Sequence, residues 1–241
     1  MIKGILIAGN ESVLFGAIEA EAAKRTENYA IARISNRFSM AVPQPSPMVV
    51  EPEVVHGSPL EPQPEADSPA RIILDWNPGS PISARTLVLA AENRLEHISD
   101  AILVCSPPQV RRDPASLGFT DVEMLVNDHI KSWFFLIKEL TSLFKARGEG
   151  TLSLVYPDIN ESIDEDETPD LLGHSALAVF RSLTRDLLAT AFNESFLTLG
   201  FTGSETGDDT GFAAFIFKQL EEKTRRGNGK LHKYGKHGFF K

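Results

Sequence analysis

A chain of 241 residues, 42% of them apolar, is long enough to bury one substantial core, and one domain over 1–241 is expected. The formal net charge of -9 leaves no overall excess of cations for a general nucleic-acid binder, and the single Cys105 excludes an intramolecular disulfide and a cysteine-cluster zinc site. The opening MIKGILIAGNES has only a four-residue apolar run and no later stretch approaches the roughly 18 apolar residues of a membrane span, so a cytoplasmic protein without a membrane segment is expected.

In chain order, Gly4 to Ala8 is a short apolar run, as in a strand buried on both faces. It leads through GNES into a helical pattern, VLFGAIEAEAAKR, with Ser12 or Asn10 as cap. Strand, glycine-containing turn and helix N-terminus together are the elements of a phosphate cradle, because free backbone amides and the helix dipole meet there. NYAIARIS is a second strand, ending before Arg37. Residues 42–70 then hold over half of the prolines together with several acids, the composition of an extended or disordered insert rather than a core element. ARIILDWN is the third strand, SPISARTLVLAAENRLEHIS a helix with Pro81 near its start, and DAILVCSPP a buried fourth strand that ends in two prolines. Cys105 reads there as a small core residue, since no base is placed beside it.

VNDHIKSWFFLIKELTSLFKARG is the longest helical pattern, with Trp133, Phe134, Ile137, Leu140 and Phe144 on its apolar face. Asn127 and His129 are two residues apart on it and so diverge, and His129 reads as structural or solvated. GTLSLVYPD is the fifth strand. The acidic NESIDEDETPD after it has no spaced ligands or glycine for a calcium loop around Asp164, Glu165, Asp166 and Glu167, so no metal site is expected, and a solvated lid is the simpler reading. Leu171 to Thr190 is an amphipathic helix and SFLTLGFTG a sixth strand. A polar loop and a last helix follow. The tail after Glu222 carries seven Lys or Arg and no acid, with Tyr234, Phe239 and Phe240 between them. A basic run of this kind could bind an acidic partner or nucleic acid, and a final strand with a charged terminus accounts for it more simply.

The order and spacing of these elements, with HSALA at the start of the Leu171 helix, resemble the short-chain dehydrogenase/reductase family, whose pattern there is YxxxK. The resemblance implies an α/β fold: a doubly wound, Rossmann-like parallel sheet in the order 3-2-1-4-5-6 with a short seventh strand from the tail, in three α/β/α layers. It places His174 at the family's catalytic tyrosine and Ala178 at its lysine. In the phosphate turn, AGNESVLFG matches the first glycine at Gly9 and the third at Gly16 if the turn is one residue longer, with Val13 where the second belongs. Asp75 matches the aspartate that contacts the adenine end of the cofactor, Asn127 matches the catalytic asparagine, and Tyr156, Pro157 and Asp158 fill the serine corner. Arg37 would suit a 2'-phosphate, or is simply a solvated strand-end arginine.

Three of four catalytic roles are thus vacant. The expectation is a non-catalytic protein, without a cofactor, that keeps the architecture for binding or assembly. The alternative is an oxidoreductase that uses NAD or NADP on a carbonyl or alcohol, with His174 and Tyr156 in rearranged roles. The resemblance also implies a homodimer or homotetramer through the helices at 122–147 and 171–192, although sheet packing alone would explain their apolar faces.

Overall fold

The computed structural model describes residues 4–26, 28–34, 70–107, 111, 113–158, 170–203 and 207–235. The insert up to residue 69, Arg37, the acidic cluster at Asp164 to Glu167, and Phe239 and Phe240 lie outside them.

Strand β1 (Ile5–Asn10) is buried along its whole length, as its unbroken apolar run requires of a central strand. Ser12 then caps helix α1 (Val13–Arg25), its side chain accepting from the amide of Phe15 at 3.1 Å. β2 (Asn28–Ile34), β3 (Ala70–Ile73), α2 (Pro81–Arg94) and β4 (Asp100–Val104) complete the first half. α3 (Phe119–Met124), a π-helix (Leu125–Lys131), α4 (Ser132–Arg147), β5 (Thr151–Pro157), α5 (Leu171–Thr190), β6 (Leu197–Gly203), α6 (Asp209–Glu221) and β7 (Leu231–Tyr234) form the second.

The seven strands make one sheet in the order β3-β2-β1-β4-β5-β6-β7, every neighbouring pair parallel. The expected order, with a seventh strand from the tail, is the observed one. Alternation along β1 sends Ile5 and Ile7 into a layer with Phe15, Ile18, Phe212 and Phe217 of α1 and α6, and Leu6 and Ala8 into a layer with Leu87, Trp133, Leu140 and Phe180 of α2, α4 and α5. Cys105 is buried in the second layer, where desolvation pushes its thiol pKa up.

Two elements differ from expectation. The third strand stops at Ile73 instead of running on to Asn77: β3 pairs only with β2 among the described residues, its side chains are largely exposed, and the chain then turns Leu74 and Trp76 inward. The helical pattern from Val126 to Gly148 is not one regular α-helix, because the π-helix interrupts it before Ser132. The aromatic surplus on α4 is absorbed inside the chain. Trp133 is fully buried, edge-on to both Trp76 at 6.2 Å and Phe180 at 4.9 Å between ring centres, while Phe134 points outward and is half exposed.

Candidate functional site

The strand order reverses between β1 and β4, and in open α/β sheets ligands bind outside the carboxyl ends at that point. A crevice of about 360 Å³ lies there, lined by Glu11, Ser12, Val13, Leu14, Ser106, Pro107, Pro157 and Asp209. Gly9, beneath it, has a packing reason to be glycine: a Cβ would sit 2.2 Å from the carbonyl oxygen of Val104 on the neighbouring strand. Gly16 has none, since it faces open space on the outer side of α1. Val13 is 79% exposed at the mouth of the helix, where a close-approach glycine would be needed for a pyrophosphate.

The crevice carries carboxylates. Desolvation, helped by the neighbouring Asp208, raises the pKa of Asp209. Asp208 itself caps α6 and accepts from the Tyr234 hydroxyl, which with the Gly211 amide lowers its pKa. Arg33, the described arginine at the end of β2, is already engaged: it pairs with Glu19 at 2.7 Å and Glu11 at 3.7 Å, and its guanidinium lies over the Phe15 ring. No cluster of three or more metal-ligating side chains exists among the described residues.

A buried network closes the floor beside β4. The backbone N–H of Ser106 donates to Asn10 Oδ1 at 3.0 Å, which fixes the amide orientation, so Asn10 Nδ2 donates to His129 Nδ1 at 2.8 Å. The neutral imidazole therefore carries its proton on Nε2. His129 is 2% exposed, and desolvation lowers its pKa to about 4. Sequence reasoning offered Asn10 as a cap and left His129 as structural or solvated, and the signal for its burial lay in the spacing: His129, Trp133, Ile137, Leu140 and Phe144 form one buried stripe. His129 is thus structural rather than solvated.

Asn127 sits on the other side of that helix, half-buried beside Gly79, and accepts from Lys131 Nζ at 3.0 Å. Asp75 is exposed after β3. His174 and Ala178 lie on the outward side of α5 with Arg181 and Arg185. His174 is half-buried, without a hydrogen bond or ion pair from its side chain to another described residue, and Ala178 is exposed. The inward side of the first turns packs Leu172 and Ala176 against Leu125 and Leu117, filling the corner between α5 and the π-helix.

Tyr156 is buried edge-on to Phe180 at 6.3 Å, with the Arg181 guanidinium 5.6 Å from its ring centre and in turn bonded to Asp158 at 2.8 Å. Desolvation raises its pKa, against the opposing pull of Arg181. Among the described residues no hydrogen bond, ion pair or ring contact joins His174 to Tyr156.

The same architecture recurs in solved structures. A short-chain dehydrogenase from Mycobacterium smegmatis superposes with a TM-score of 0.65 at 9% identity, covering 97% of this chain and 92% of its own. The fold is that of the short-chain dehydrogenases. The NADH-dependent reductase A1-R' complexed with NAD has a TM-score of 0.63 at 12% identity over 96% of this chain and 95% of its own. An apo SCOR enzyme from Clostridium thermocellum has 0.64 at 11% over 97% and 91%. No protein-family model and no curated protein matches the chain. At these identities the short-chain dehydrogenase likeness is one of architecture. No helix among the described residues is long and apolar enough to cross a membrane.

Proposed function

We propose that the protein is a divergent, non-catalytic short-chain dehydrogenase-like chain, a single domain in the cytoplasm, that uses the fold for binding or assembly. The observation that carries this reading is the chemistry of the crevice and its helix. Hydride transfer requires a dinucleotide at the switch point and a proton donor at the substrate oxygen. Glu11 and Asp209 line the crevice where a pyrophosphate would need donors, and the exposed Val13 obstructs its approach. These residues do not fit a dinucleotide. Ala178 supplies no cation to the helix, and the Tyr156 phenol is buried with a raised pKa, the opposite of an activated proton donor.

The outward faces of α4 and α5 are the surface we assign to a homodimer or homotetramer, with the half-exposed Phe134 as its apolar contact. A second reading, an NAD(P)-dependent oxidoreductase of carbonyl or alcohol substrates, draws on one observation: the His174 imidazole is half-buried, with no hydrogen bond to a described residue, and so is available to exchange a proton. The two separate in a turnover assay. With NADH or NADPH and a panel of aldehydes and ketones, the proposal expects oxidation no faster than in a protein-free blank. Turnover that His174→Ala abolishes would overturn it.

A further inference from the structure

We propose that the amino-terminal end of the sheet, beside β7, binds single-stranded nucleic acid along a cationic groove in which Phe192 is a stacking platform. This surface lies at the opposite end of the strands from the crevice and is independent of what the crevice does. Three hollows adjoin there, of about 380, 100 and 330 Å³. Arg225 lines the first two, and Lys223 lines the first and third. Arg226 and Lys230 line the third.

Charge is concentrated here against the chain-wide balance. The fold gathers Lys223, Arg225, Arg226, Lys230 and Lys233 along the turn after α6 and strand β7. Lys223 is held by Asp100, but the other four are exposed and form no ion pair with a described residue. Of the acids bordering the groove, Glu194 is matched by Lys145 at 2.9 Å, whereas Glu149, 3.5 Å from His97, and Glu222 have no Lys or Arg partner among the described residues, two acids against four exposed cations. The net charge of -9 is an average over the chain, whereas a phosphate chain meets the local field.

The aromatic component is Phe192, 71% exposed at the end of the α5 segment. Its ring stands against the basic turn: a Cβ on Gly229 would come within 3.1 Å of Phe192 Cε2, and Phe192 lines the same hollow as Arg225. An open π-face beside unpaired cations suits alternating bases and phosphates, since stacking is tolerant of sequence and the cations follow the backbone. An acidic peptide would use the cations but not the ring face. A two-fold contact with a second copy would bring like charges together.

The test is fluorescence anisotropy of the full chain with a labelled single-stranded RNA of about twelve nucleotides, titrated at several salt concentrations. Micromolar binding at low salt is expected. Arg226→Gln with Lys230→Gln should weaken it at least about tenfold and flatten the slope of log affinity against log salt by about 1.4, two phosphate contacts' worth. Phe192→Ala should weaken it at least about fivefold and Phe192→Tyr restore it, while Lys138→Gln on α4 leaves it unchanged. Melting curves establish that each variant is folded. No binding by the wild-type chain at low salt, binding indifferent to these substitutions, or equal competition by polyglutamate or polyphosphate of the same charge would each overturn the proposal.

Discussion

The two ends of the sheet are built from the same parallel strands and present opposite chemistry. At the carboxyl ends, where this architecture offers its ligand crevice, the groups facing out are carboxylates and an exposed valine, and the floor is closed by the Asn10–His129 pair and the apolar wedge of Leu125, Leu172 and Ala176. At the amino ends, Arg225, Arg226 and Lys230 line open hollows without an ion pair to a described residue. The buried polar groups follow the same division. His129 is kept neutral by burial, whereas Asp100 is 0% exposed and met by the Lys223 ammonium at 2.9 Å. The difference teaches that architecture and site chemistry vary independently: an apolar frame that specifies strand order leaves the loops at both ends free to change.

The largest effect expected is on stability against pH. The folded-state pKa of His129, about 4, lies below the ordinary imidazole value of 6.5, so the unfolded chain binds more protons in that window. This stability is fully present above pH 6.5 and is lost as pH falls towards 4, a loss of about 3 kcal/mol by the end of the window. Urea unfolding across this range should show it, and His129→Asn, which can still accept from Asn10, should remove that part of the pH slope. An unchanged slope in the variant would place the closure of the carboxyl end elsewhere. At the other end, Lys223→Met leaves the Asp100 carboxylate buried with the Ser99 hydroxyl donating to it at 2.7 Å, and should cost about 2 kcal/mol, moderated by the partial exposure of the lysine. A cost indistinguishable from zero would mean that water reaches Asp100 unaided. The smallest effect belongs to His174→Tyr with Ala178→Lys. Ala178 is exposed, so the new ammonium hydrates and stability should change by less than about 0.5 kcal/mol. Reductase turnover should still be absent, because the phosphate turn and the serine corner remain altered. Loss of folding, or turnover gained by these two changes alone, would contradict the account of this helix face.

Strand order and helix placement were legible because each buried strand is an unbroken apolar run and each helix a periodic one: Ile5 to Ala8, Ile102 to Val104 and the Leu171 helix leave little choice. The π-helix was not, since its apolar spacing also fits a continuous α-helix, and the choice between a structural and a solvated His129 needed the contact with Asn10. Asn10 read as a cap because it stands beside Ser12; only the partner strand and the π-helix, 96 and 119 residues away, show it as a buried bridge. The Asp75 end of the third strand read as paired because alternation does not reveal where a neighbouring strand stops. The basic tail was legible as composition. Its juxtaposition with Phe192 was not, since β6 and α6 intervene.

Titration of the purified protein with NAD, NADH, NADP and NADPH by calorimetry tests the central claim most directly, because dinucleotide binding precedes any hydride transfer. With Val13 at the pyrophosphate position and carboxylates lining the crevice, dissociation constants weaker than about 100 μM are expected for all four. A low-micromolar constant for any of them, or a dinucleotide retained through purification, would contradict the account.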